Sequence, residues 1–153
     1  MRFRCPAMVS VERITDKLSR LDEFLSILQG MHGISLDAFL KDKILIGSAK
    51  YYLQVSIECC LDIANHIISA ERFRAPRDYA DSFTVLEEQG LVTAEFGLKL
   101  RQMAKFRNRL VHLYGEIDDA YVHEFIRKDL QDFISFKKVV ADKYFPCAVS
   151  LAP

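Results

Sequence analysis

Tyr51-Tyr52-Leu53-Gln54-Val55-Ser56-Ile57-Glu58-Cys59-Cys60-Leu61-Asp62-Ile63-Ala64-Asn65-His66-Ile67-Ile68 is the stretch whose reading decides the fold. Wound at about 100° per residue, it is apolar on most sides, the mark of a helix buried between neighbours. A single stripe, Gln54, Glu58, Asp62 and His66, interrupts it at every fourth position. Such a stripe drifts slowly around a helix, so its four members can border one groove. Two readings stand side by side: a solvated edge with local Glu and His pairing, or the wall of a cleft.

The rest of the chain reads as helices arranged around this one. Ser10 is an N-cap candidate for a helix over 11–29 carrying Ile14, Leu18, Leu21, Leu25 and Leu28 at helical spacing, with Gly30 and Gly33 marking its end. Ser35 opens the pattern that contains the central stretch, predicted over 36–70 with a break near Gly47. Ala75-Pro76 reads as a loop leading into a helix start, followed by a helix over 79–89 that packs Phe83, Val85 and Leu86 and stops at Gly90. Thr93 caps a helix predicted over 96–117, and Asp118 or Asp119 caps a last one over 120–144 with Phe125, Leu130, Phe133, Phe136 and Val140. No segment alternates with strand period. The fold class is therefore all-α, a four-helix-type antiparallel bundle with an added short helix, in one domain over 1–145, with 146–153 as a mobile tail.

Bulk composition narrows the function classes. With 153 residues, half of them hydrophobic, the chain supports one real core. Its 21 basic and 21 acidic residues cancel, so there is no global basic field and any nucleic-acid contact must come from a local patch. Cys5, Cys59, Cys60 and Cys147 match no zinc spacing, and adjacent Cys59 and Cys60 read as buried small hydrophobes. Neither a signal peptide nor a membrane-spanning run is expected, and a reducing cytoplasm fits best.

The chemistry concentrates in Lys105-Phe106-Arg107-Asn108-Arg109-Leu110-Val111-His112-Leu113-Tyr114. Arginine offers a planar fork that matches phosphate oxygens, and histidine exchanges protons near neutral pH. Together they point to work on a phosphodiester without a metal or other cofactor. On the predicted helix, Phe96, Leu100, Met103, Phe106, Leu110, Leu113 and Ile117 form the core face. Asn108 and His112 project from nearly the opposite side with Arg101, while Arg107 and Tyr114 share a flank. A straight helix does not gather these groups. Either it ends or bends near His112, or another helix or a second subunit completes the site. Arg101, Lys105, Arg107 and Arg109 make up the local basic patch, and Glu58, Asp62 and His66 are candidates to line the same cleft.

Arg107-Asn108, three residues, His112, one residue, Tyr114 resembles the signature of the HEPN superfamily, in particular the HepT-like ribonuclease toxins. The likeness extends in order and spacing through Tyr52-Leu53-Gln54-Val55, Glu58 to Ile68, Ala75-Pro76 and Asp78-Tyr79-Ala80, covering roughly 45–136. It implies a helical bundle that dimerises so that two Arg–His motifs meet in one basic cleft, and a metal-independent endoribonuclease. His112 would then be general base or acid, Arg107 would steady the charge growing on the phosphate, and Asn108 would orient one or the other. It further implies a minimal nucleotidyltransferase antitoxin as partner, transferring AMP to Tyr114 and so blocking RNA by bulk and charge. The alternative is a non-catalytic module of the same fold that docks such a transferase and presents a substrate or nucleotide to it. A structural helical adaptor is the third possibility.

Overall fold

The structure, a computed structural model, describes residues 9–146. These form seven α-helices: α1 (Val11–Gly30), α2 (Leu36–Lys41), α3 (Lys43–Ala70), α4 (Tyr79–Glu88), α5 (Ala94–His112), α6 (Asp119–Lys128) and α7 (Leu130–Tyr144). A single 3-10 turn, Tyr114–Glu116, joins α5 to α6, and no strand occurs among the described residues. The outer part of the expected tail, from residue 147 on, lies outside the described residues, as do Cys5 and Cys147.

α3 touches every other helix. Its Leu53, Ile57, Cys60, Ile63, Ala64 and Ile67 are all essentially inaccessible to solvent. Cys59 and Cys60 are buried as expected, and burial pushes both thiols up from their ordinary range. Antiparallel packing follows from the pairs that meet. Lys17 of α1 pairs with Asp62 and Phe24 with Tyr52, while Arg107 of α5 meets Glu58. The α6–α7 pair runs antiparallel to α5, with Phe106 stacked on Phe125 and Lys99 facing Asp132. Lys137 of α7 closes the ring by pairing with Asp22 of α1.

The caps read from the sequence are present. Ser10, Ser35, Thr93 and Asp118 each accept an N–H from the first turn of their helix. The helix after Pro76 begins at Tyr79, as read from the sequence, with Asp78 as its cap. Three boundaries differ. The pattern over 36–70 breaks at Asp42, not Gly47: Asp42 adopts extended backbone, ends α2, and its Oδ1 accepts the Leu45 N–H at 3.0 Å to start α3. The expected last helix divides at Asp129 into α6 and α7. α5 stops at His112 rather than 117, so Leu113, placed on the core face by periodicity, is exposed while Ile117 is buried.

Two helix ends share one device. After α4, Gly90 takes a left-handed backbone (φ 73°), and the Leu91 N–H reaches back to the Leu86 carbonyl at 3.0 Å. After α3, Arg72 adopts the same conformation (φ 56°), with the Phe73 N–H on the Ile68 carbonyl at 3.0 Å.

Candidate functional site

Where α5 passes α3, three helices converge on one guanidinium. Arg107 Nε and Nη2 donate to Glu58 Oε1 of α3 at 3.0 and 2.9 Å. Its Nη1 donates to Asn108 Oδ1 at 3.2 Å, and its guanidinium carbon lies 4.8 Å from the ring centroid of Tyr79 on α4. Gln54 of α3 donates to the same Glu58 oxygen at 3.2 Å. The Arg107 side chain keeps 15 % exposure, so the group is accessible but not adrift.

Asn108 and His112 stand one turn apart on α5, and His112 is exposed in the last helical turn. The helix therefore ends at the histidine, the first of the alternatives that the periodicity left open. Beyond it the chain folds back toward α3. Lys50 of α3, only 5 % exposed, donates to the Tyr114 carbonyl at 3.2 Å and places its ammonium 4.6 Å from that ring's centroid. The same ammonium pairs with Asp119 at 2.8 Å. The Tyr114 hydroxyl lies over Gly47, 3.5 Å from where a β-carbon would stand, and the residue as a whole is about half exposed.

The other candidates are distributed differently. Glu58 joins Arg107, whereas Asp62 faces Lys17 at 2.8 Å and the His66 Nε2 accepts the Ser10 N–H at 2.9 Å. Those two, with Arg13 and Asn65, line a separate cavity of about 440 Å³ between α1 and α3. Burial and the Arg13 cation pull the His66 imidazole below its ordinary value, consistent with a neutral ring whose Nε2 is free to accept. Arg101 pairs with Glu87 of α4 at 3.0 Å, a contact within the bundle, and Arg109 is exposed on α5.

Sequence reasoning missed Tyr79 and Lys50. Tyr79 stood only within the Asp78-Tyr79-Ala80 likeness, and its contact with Arg107 crosses helices, which spacing along one segment does not show. Lys50 carried a local signal: it stands at the spacing of Ile46, Leu53 and Ile57, in the core register of α3.

Comparison with known proteins finds relatives that cover most of the chain. Residues 14–140 match the family model described as Ribonuclease HepT-like. The chain is 32 % identical over 127 residues to the mRNA nuclease HepT of Shewanella oneidensis, covering 83 % of this chain and 95 % of that one. It is 28 % identical over 122 residues to the tRNA nuclease HepT of Aphanizomenon flos-aquae, covering 78 % and 82 %. Its fold superposes with a TM-score of 0.81 and 30 % identity on a solved Shewanella oneidensis HEPN toxin, tri-AMPylated and in complex with MNT antitoxin, covering 87 % and 99 %.

Proposed function

The chain belongs to the Ribonuclease HepT-like family, and from that premise we propose that it is the endoribonuclease toxin of a toxin–antitoxin pair, cutting RNA without a metal. The observation that carries this is the Arg107 fork, held beside Asn108 and followed after one further turn by the exposed His112. In the reaction, His112 takes the proton of the RNA 2′-hydroxyl as its oxygen attacks phosphorus. The P–O5′ bond breaks to leave a 2′,3′-cyclic phosphate, the leaving oxygen takes its proton from a His112 imidazolium, and Arg107 offsets the extra negative charge on the phosphoryl oxygens.

A second copy of the chain completes the cleft. Two features support this. His112 is exposed at the end of α5 with Asn108 partly buried one turn before it, and the surface near Tyr114 exposes Ile44 (84 %) and Tyr51 (54 %), two turns apart on α3, together with Val111 and Leu113. RNA then binds across both copies, and the paired motifs supply the local basic surface that the neutral whole does not.

Tyr114 is the control point. A relative of this fold is AMPylated and bound to MNT antitoxin, and here the tyrosine is half exposed, two residues past His112. Transfer of AMP from ATP by a minimal nucleotidyltransferase partner joins the phenolic oxygen to the α-phosphorus and releases pyrophosphate. The bulky anion then stands beside the RNA site. Tyr114 found unmodified after co-expression with an active partner transferase would remove this part of the reading.

The deciding experiment is cleavage of a labelled RNA by purified protein in excess chelator, with His112→Ala alongside. Loss of about 10²- to 10⁴-fold in the variant is expected for a general acid–base group. A wild type that is silent on RNA with Tyr114 unmodified would favour the non-catalytic module.

A further inference from the structure

We propose that Glu58 is a positioning residue of this site, fixing which edge of the Arg107 guanidinium meets the RNA phosphate. The proposal rests on the RNA-cleavage reading above. A guanidinium carries five N–H groups in a rigid fork. Nε and Nη2, which form its side edge, both donate to Glu58 Oε1, and Nη1 donates to Asn108 Oδ1. That engages three of the five. The two left over sit one on each terminal nitrogen, so the side edge belongs to α3 and the phosphate is met by what remains on Nη1 and Nη2.

The surroundings fix the group in the remaining directions. Tyr79 sets the plane of the guanidinium from α4. Glu58 is itself held, since Gln54 donates to the same oxygen from one turn earlier on α3. The long arginine side chain is ordered before RNA arrives, so less rotamer freedom is lost when it meets the phosphate. The carboxylate also has a cost for binding, because it cancels part of the charge that attracts a phosphate.

These roles separate under two substitutions. Glu58→Gln keeps an oxygen that can accept both N–H groups while removing the negative charge. Glu58→Ala removes both. With saturation kinetics on a labelled single-stranded RNA, Glu58→Ala should lose about 10- to 10²-fold in kcat, the usual consequence of a reacting group misplaced by an ångström, without a rise in KM. Glu58→Gln should restore most of that kcat and lower KM. Equal kcat in Glu58→Ala and wild type, or a faster Glu58→Ala, would overturn the proposal. So would a loss that Glu58→Gln does not rescue.

A second measurement does not depend on cleavage. The Arg107 Nε–H should exchange slowly with solvent by NMR in wild type and Glu58→Gln, and rapidly in Glu58→Ala. Equally rapid exchange in wild type would overturn the proposal whatever the RNA result. A wild type with a protected Nε–H that cuts no RNA would instead overturn the ribonuclease reading, and the positioning role would fall with it.

Discussion

Lys50 and Tyr114 meet twice: the ammonium donates to the tyrosine's carbonyl at 3.2 Å and lies 4.6 Å from the centroid of its ring. A lysine at 5 % exposure is held there by those two contacts and by Asp119. Together they fasten the turn after α5 to the central helix.

Lys50→Met keeps the length of the side chain and removes its charge. Stranding a wholly buried partner costs about 3–5 kcal/mol, but Asp119 keeps 37 % side-chain exposure and can turn to water. The expected loss is therefore about 1–3 kcal/mol, read from the urea midpoint at unchanged m. Amide exchange over 113–118 should rise in parallel. If midpoint and exchange both stay put, the buried ammonium is not the fastening.

Arg107→Lys preserves charge and discards the fork. A lysine ammonium cannot span Glu58 Oε1 and Asn108 Oδ1 while presenting two further donors in one plane. We expect kcat to fall about 10²-fold, with RNA affinity within about threefold because the charge is retained. A larger loss in affinity than in kcat would show that Arg107 serves binding rather than the transition state.

His66 gives stability a pH dependence. Its native pKa lies below the ordinary 6.5, through burial first and Arg13 second. The unfolded chain therefore binds more protons near that pH, and stability rises with pH. The contribution is complete above about 6.5 and fades as pH falls toward the native value. Melting temperature should drop between about pH 7.5 and 5.5, and less steeply in His66→Gln, whose amide oxygen can accept the Ser10 N–H at either pH. Asp129 and Asp132, both raised chiefly by burial, act in the opposite sense at lower pH, so the comparison belongs above the carboxylate range. Parallel profiles for the two proteins would clear His66 of the effect.

Arg72 occupies a left-handed position that its counterpart after α4 fills with Gly90. A side chain there costs about 1–2 kcal/mol of backbone energy, partly offset because glycine is more flexible when unfolded. Arg72→Gly should therefore stabilise by about 0.5–1 kcal/mol in equilibrium unfolding. A destabilised variant would mean that the Arg72 side chain makes a contact worth more than the backbone relief.

Periodicity revealed most of the helices because each buries a stripe at 3.6 spacing, and the polar caps Ser10, Ser35, Thr93 and Asp118 set where they begin. It could not reveal the breaks at Asp42 and Asp129. Phe125, Leu130, Phe133 and Phe136 keep an apolar face running straight across Asp129, and only local backbone geometry interrupts it. Within the site, Arg107, Asn108, His112 and Tyr114 were legible as a motif on one segment. Glu58 stood in a polar stripe of which Gln54 pairs with Glu58 itself and the others meet separate partners: Arg107 for Glu58, Lys17 for Asp62, Ser10 for His66. Spacing says which side chains leave a helix together; the register of the neighbouring helix decides what each one meets.

The reach of α3 bears on how this protein can vary. One helix of 28 residues packs against all the others, while its outward side presents Glu58 to Arg107 and Gly47 to Tyr114. In a saturation mutagenesis screen, an ordinary surface helix tolerates changes on half its circumference. α3 should have almost no permissive side, its inward substitutions failing in abundance and its outward ones in toxicity. Silent drift should gather instead on the outer faces of α6 and α7, leaving α3 as the part of the gene with the least freedom to wander.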